Sequence, residues 1–200
     1  MSSLEKPELR GIEDGRLIIQ LRKGDLDALG SLYDKYKQVV YRTALAITHD
    51  LDGAQDILQD TFLRLYKSAS RVDPERPIIP WLYRVTVNTS YTYLRRRRWL
   101  LAPIDDLLQH TGTSKVSPER QTVRREAREA VFSALTRLPP SQRVVAVLYY
   151  INDLSLRDIA DLLECPVGTV KSRLFYSREN LRKTLEGDER ATFDLAYDLR

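Results

Sequence analysis

One cysteine in 200 residues, Cys165, leaves no partner for an internal disulfide, and only two histidines, His49 and His110, stand beside it. A disulfide scaffold is excluded, and the usual ligand cluster for structural zinc is missing. Long apolar runs are absent too. The longest, such as Val144 to Ile151, fall far short of the roughly 20 residues of a membrane span. The N-terminus lacks the apolar centre of a signal peptide. These absences predict a cytoplasmic chain that does not insert into a membrane. The sequence also offers no nucleophile with a positioned base, no phosphate-binding glycine loop and no carboxylate pair near a histidine, so neither an enzyme nor a cofactor is expected. His49 beside Asp50 and Asp52 suggests a metal or proton relay on one reading and a helix end with solvated acids on the other, and the second is favoured. Cys165, at a break between helices, reads as a small buried residue rather than a redox sensor.

What is present is enough apolar side chain to fold: 42% hydrophobic residues against 30% charged, too much for a disordered polyelectrolyte. The length suits one large domain or two small ones. The 32 Lys and Arg outnumber the 28 Asp and Glu, for a net charge of +4. That sum hides a segregation of sign. From Asp50 to Asp60 there are four acids and no base, whereas from Arg76 to Ile104 there are six arginines and no acid. From Lys171 to Lys183, five bases face only Glu179. A solvated helix face would explain either basic run alone. Two separated runs point to two contacts with a polyanion.

Gly and Pro are scarce inside the periodic segments and β-branched alternation is weak, which predicts a mostly helical chain. From Asp25 to Thr48 the residues Leu29, Tyr33, Tyr36, Val40, Ala44 and Ile47 form one apolar stripe. After a break, Ala54, Ile57, Leu58, Thr61 and Leu65 form a second, leaving Asp56, Gln59, Asp60 and Leu63 on the other side. A proline-rich loop from Ser70 to Pro80 precedes a helix from about Trp81 to Trp99, with Pro80 well placed at its start. On that helix Leu82, Val85, Thr89 and Tyr93 can pack while Arg84, Asn88, Thr92 and Arg95 share another face. Its rings, Trp81, Tyr83, Tyr91, Tyr93 and Trp99, either stack on single-stranded bases beside the arginines or fill the core. For each ring taken singly, the core reading is favoured.

Periodicity dissolves between Leu101 and Gln121, which reads as a linker. Helical pattern returns from Val123 to Leu138, stops at Pro139 and Pro140, and resumes from Ser141 to Ile151. Ser155 and Asp158 then fit a capping box. The helix it starts has Leu156, Ile159, Ala160 and Leu163 on its apolar face, and a short break containing Pro166 follows. A second helix from about Val167 to Leu185 buries Val170, Leu174, Leu181 and Leu185. Its opposite stripe carries Thr169, Ser172, Arg173 and Tyr176, flanked by Lys171 and Arg178. Small hydroxyls permit close approach to a major groove, Arg173 can contact guanine bidentately, and Lys171 and Arg178 can neutralise phosphates. The alternative is a helical hairpin with a wet basic face.

Taken in order, the segments DILQDTFLRLY, WLYRVTVNTSYTYLRR, LSLRDIADLL and CPVGTVKSRLF resemble bacterial sigma factors of the extracytoplasmic-function, sigma-E-like group of the sigma-70 family, over about Asp25 to Leu185. The resemblance implies an all-α protein of two small helical domains, a region-two bundle and a region-four helix-turn-helix, joined by a flexible linker. The corresponding division is an N-terminal tail (1–16), region two (17–100), linker (101–122), region four (123–186) and an acidic C-terminal extension (187–200). That extension reads as a docking helix, a regulatory segment or disorder. The implied function is to join core RNA polymerase, through the β′ clamp helices and the β flap, and direct it to promoters. By matched position, Asp56, Gln59, Asp60, Phe62 and Leu63 would grip the clamp helices. The loop with Trp81, Arg84, Asn88, Thr92, Arg95 and Arg96 would open and read the minus-ten element, duplex and melted non-template strand alike. Thr169, Lys171, Ser172, Arg173, Tyr176 and Arg178 would read the minus-thirty-five element. Family members of this size are commonly held inactive by an anti-sigma factor. Two departures matter: Thr92 stands where the family often has aspartate, and Tyr176 where a subgroup often has arginine. The main rival is a helix-turn-helix regulator acting without polymerase, which leaves the acidic helix and the ring-rich helix unexplained.

Overall fold

The computed structural model describes residues 7–100 and 131–185, and side chains within them at 13–97 and 131–185. The first unit contains α1 (Pro7–Arg22), α2 (Leu26–Thr48), α3 (Leu51–Ser68), a 3₁₀ turn (Ala69–Arg71) and α4 (Ile79–Leu100). In the second, residues 131–137 (α5) are followed by α6 (Pro140–Ala146), a π-turn (Val147–Ile151), α7 (Leu156–Leu162) and α8 (Val167–Leu185). There is no strand among the described residues. None of the described helices is long and apolar enough to cross a membrane.

Local chemistry sets the helix boundaries. The Asp25 carboxylate accepts from the Asp27 and Ala28 amides and caps α2, which ends where His49 turns left-handed at φ 53°. The next residue, Asp50, accepts from the Gly53 amide and starts α3. Both are side-chain oxygens satisfying amides that a helix start leaves free. Proline at the first position starts α6, and the Ser155 and Asp158 capping box starts α7 as expected.

The stripes expected on α3 and α8 bury as read. Ala54, Ile57, Leu58, Thr61 and Leu65 of α3, and Val170, Leu174, Leu181 and Leu185 of α8, are all buried. Each large aliphatic taken out of water contributes about 1.5–3 kcal/mol. Three readings need correction. On α4 the buried residues are Leu82, Tyr83, Thr86, Val87 and Ser90, while Val85, Thr89 and Tyr93, expected to pack beside Leu82, are half-buried, because Tyr83 and Val87 turn into the cluster shared with the second unit. Residues 7–16, expected within a flexible tail, belong to α1. Asp14 is 3% exposed and accepts from the Tyr36 hydroxyl at 2.5 Å and the Lys35 ammonium at 2.7 Å, while Ile18 and Leu21 enter the core. A buried carboxylate held by two donors breaks the apolar stripe that would have marked the helix. Phe62, expected on the polymerase-gripping surface, is 4% exposed and packs edge-on against Tyr33 with ring centroids 5.0 Å apart. The α3 stripe widens by one position there to meet α2, so the phenyl ring supports the acidic face from beneath.

The linker (101–122), residues 123–130 and the C-terminal extension lie outside the described residues. The two units are nevertheless in contact. One apolar cluster joins Ala46, Ile47, Tyr83 and Val87 of the first to Val144, Leu148, Ile159 and Val170 of the second.

Candidate nucleic-acid and polymerase interfaces

The outward face of α3 presents Asp56 and Gln59 to solvent, with Asp60 half-buried and paired to Arg64 at 2.9 Å. Beside them, toward the end of the helix, Leu63 and Tyr66 are 54% and 45% exposed. Apolar side chains that a helix could have turned inward stand here among carboxylates, which is the composition of a protein-docking surface with a charged rim. Tyr66 was not anticipated, because an aromatic near a helix end looks like core by pattern.

The proline-rich loop and α4 form a second surface, and α1 holds the loop in place. Arg22 donates from Nε to the Ala69 carbonyl at 3.0 Å and from Nη2 to the Val72 carbonyl at 2.6 Å. Seven residues earlier Gly15 meets the loop backbone: a Cβ there would lie 2.3 Å from the Pro74 carbonyl oxygen. Neither residue was foreseen. A glycine inside a helix is a usable signal of close approach, but nothing local says what approaches.

On α4, Arg84, Asn88, Arg95 and Arg96 are exposed, and Trp81 is half-buried against the first core. Thr92 is half-buried and donates back to the Asn88 carbonyl at 3.0 Å. The tyrosines serve the protein. Tyr83 is buried and its hydroxyl accepts from Asn152, and Tyr91 donates to the Pro140 carbonyl at 3.4 Å. Tyr93 donates to Asp50 at 2.8 Å. The core reading therefore holds for these three rings; the Trp99 side chain lies outside the described residues. Burial acts to raise the Asp50 carboxyl, but the Gly53 amide, the Tyr93 hydroxyl and the Arg97 guanidinium outweigh it and hold the group below its usual range. Tyr93 moves the other way, raised by burial and by the carboxylate it faces.

The third surface is the outer stripe of α8. Lys171, Ser172, Tyr176 and Arg178 are exposed, while Thr169 and Arg173 are half-buried. The Arg178 Nε donates to the Tyr150 hydroxyl at 2.5 Å, and its guanidinium lies 5.9 Å and 5.8 Å from the centres of the Tyr149 and Tyr150 rings. The cation is thus oriented from behind while still reaching solvent. Phe175, also unanticipated, is 60% exposed beside Tyr176, with ring centroids 5.5 Å apart. The α8 and α4 surfaces face one another across a cleft of about 300 Å³, lined by Arg84, Asn88 and Tyr91 on one side and Leu163, Glu164 and Arg173 on the other.

The chain matches the family description "Sigma-70 region 2" over residues 32–100 and "Sigma-70, region 4" over residues 128–181. It is 35% identical over 176 residues to the ECF RNA polymerase sigma factor SigW of Bacillus subtilis, covering 84% of this chain and 94% of that one. Against the RNA polymerase sigma-H factor of Pseudomonas aeruginosa the identity is 31% over 185 residues, covering 87% and 94%. Among solved structures, it is similar to CnrH in complex with the cytosolic domain of CnrY, with TM-score 0.63 and 25% identity over 88% of this chain and 99% of that one. It also shares the fold of the sigma factor RpoE in complex with the anti-sigma factor NepR from Bartonella quintana, with TM-score 0.60 and 21% identity over 80% and 98%.

Proposed function

The chain belongs to the extracytoplasmic-function group of the sigma-70 family, and from that premise we propose how its three surfaces divide the work of an alternative sigma factor. The α3 face carrying Asp56, Gln59, Asp60 and Leu63 docks on the β′ clamp helices of core RNA polymerase. Complementary charge speeds and registers that encounter, and the exposed Leu63 supplies apolar contact. The loop 70–80 with Trp81, Arg84, Asn88, Thr92, Arg95 and Arg96 engages the minus-ten element. The α8 stripe of Thr169, Lys171, Ser172, Arg173, Tyr176 and Arg178 reads the minus-thirty-five element in the major groove.

Promoter opening on this reading requires no covalent step from the chain itself. Extruding a base costs a few kcal/mol in lost stacking, which binding of the flipped base and the downstream single strand offsets. The arginines of α4 hold the phosphates. With Thr92 in place of a carboxylate, that face repels the backbone less and presents a neutral hydroxyl. At Tyr176 one hydroxyl and a ring replace a planar fork, favouring a thymine methyl or a phosphate over guanine.

The observation that carries the reading is the separation of charge onto distinct helices: acids around an exposed leucine on α3, and bases on the solvent faces of α4 and α8. A regulator acting without polymerase would have no use for the first. An anti-sigma factor is the further partner we assign, on the pattern of the solved relatives bound to such proteins. Run-off transcription with purified chain, core polymerase and a promoter library tests the whole. Initiation that requires both chain and core is expected. A chain that fails to associate with core, or associates and never initiates, refutes it.

A further inference from the structure

Arg178 is held in place without a carboxylate. Arg64, Arg84 and Arg97 each pair with one, at 2.9, 3.0 and 2.6 Å. Among the described residues Arg178 pairs with none, and its hydrogen bond runs from Nε to the Tyr150 hydroxyl at 2.5 Å. A carboxylate in that place would orient the guanidinium equally well, but it would offset the charge and repel a phosphate. The phenol orients Arg178 and leaves its whole charge for a ligand.

The seat is built by the π-turn. The Asn152 amide donates to the Val147 carbonyl at 3.2 Å, five residues back, so the chain makes a wider turn there than an α-helix does. Successive side chains of an α-helix point about 100° apart, and a wider turn narrows that angle. Tyr149 and Tyr150 accordingly stand edge to face with ring centroids 4.9 Å apart, and both rings reach the same guanidinium.

Donors are left over at this seat. Accepting from Arg178 occupies a lone pair of the Tyr150 oxygen, and the hydroxyl hydrogen remains to be given. Neither that hydrogen nor the Nη groups of Arg178 meet an acceptor among the described residues. Burial pushes the phenol up and the guanidinium offsets this only in part, so the hydrogen is in place at neutral pH. Tyr150 is half-buried and Arg178 exposed. Toward solvent the pair offers N–H and O–H groups beside a positive charge, the complement of two phosphate oxygens.

We propose that Tyr150 and Arg178 together clamp one backbone phosphate of the minus-thirty-five element, the tyrosine hydroxyl donating to one oxygen and the arginine Nη groups to the other, with Tyr149 bracing the Tyr150 ring. Tyr150 is then a DNA-contacting residue outside the α8 stripe, supplied by a separate turn of the second unit. The inference rests on the placement of α8 in the major groove.

Holoenzyme affinity for a promoter duplex recovered from the run-off library, measured in the cold before the strands separate, tests it. Tyr150→Phe keeps the ring against Arg178 and should leave the thermal unfolding of the chain unchanged. It should weaken binding roughly tenfold, as expected for one lost hydrogen bond to a charged group. The factor should be the same on functional and mutated minus-thirty-five sites, since a phosphate carries no sequence information. Salt separates the two partners: Arg178→Ala should lower the slope of log affinity against log salt by about one, and Tyr150→Phe should leave it as it is. In the Arg178→Ala background Tyr150→Phe should still cost several-fold. Methylphosphonate replacement, one phosphate at a time across the minus-thirty-five half, should find one position that weakens wild type more than Tyr150→Phe. Unchanged affinity of Tyr150→Phe while Arg178→Ala binds weakly overturns the proposal. So does a loss confined to chains that retain Arg178, which would make the hydroxyl a support for the arginine alone. Failure of the underlying reading has a different signature: Arg178→Ala with the affinity and salt slope of wild type.

Discussion

Substituting Gly15 with alanine tests how α1 controls a loop it precedes by nearly sixty residues. The added Cβ would stand 2.3 Å from the Pro74 carbonyl oxygen and 3.3 Å from its carbonyl carbon. Both are backbone atoms, so no rotamer relieves the overlap and the loop must retreat by about 1 Å to restore an ordinary contact distance. Overpacking of this kind costs about 1–3 kcal/mol. Alanine inside a helix regains up to about 1 kcal/mol over glycine, so the net loss of stability should be only about 0–2 kcal/mol. Thermal unfolding will show a small shift. Function should register far more, because a displacement of about 1 Å at a positioned site can cost on the order of 100-fold in rate. We therefore expect Gly15→Ala to bind core polymerase normally yet form open complexes about 10- to 100-fold more slowly, read by permanganate footprinting of the melted strand. Arg22→Met, which removes the bonds to Ala69 and Val72, should reproduce the defect. Normal open-complex formation by both variants would refute the claim that α1 positions the loop.

Four other outcomes are expected. Arg173→Ala should reduce discrimination between a functional and a mutated minus-thirty-five site by about 1–3 kcal/mol; equal loss on both in binding assays would mean a phosphate contact instead. Gly53→Ala would put a Cβ 2.4 Å from Tyr93 Cζ, displacing the ring from Asp50 at a cost of about 1–3 kcal/mol, and in a Tyr93→Ala background calorimetry should show most of that cost gone. Because the folded-state pKa of Asp50 is depressed, its contribution to stability is present above the ordinary value of 3.8 and lost as pH falls through the lower folded value. Denaturant titrations of Asp50→Asn against wild type should therefore converge in acid and diverge above it. Asp56→Lys should slow association with core polymerase several-fold at low salt and little at high salt; a salt-independent loss in stopped-flow mixing would contradict the docking role.

The legible parts of the chain were those encoded within a few residues. The α8 register could be read because Val170, Leu174, Leu181 and Leu185 recur at helical spacing, and the α7 start because a capping box is complete within four residues. The α3 face was legible except at Phe62. Its neighbour Leu63 points outward and Phe62 inward, and periodicity places the boundary of a stripe only to within one position. The ring-rich helix left stacking and core both open, and the decision for Tyr83, Tyr91 and Tyr93 came from hydroxyl partners at Asn152, Pro140 and Asp50.

The helices from α2 onward, the α7 cap, the segregation of charge and the family were thus set by the amino-acid order alone, since each depends on hydrogen bonds and side-chain spacings within a turn or two, or on motifs a few residues long. Chain folding in space decided the rest: that Gly15 and Arg22 brace a loop, that Asp14 is buried, and that Arg143 reaches the Ile47 carbonyl. Those contacts join positions 21 to 96 residues apart, and a local pattern carries no information about which distant backbone oxygen will meet a given side chain.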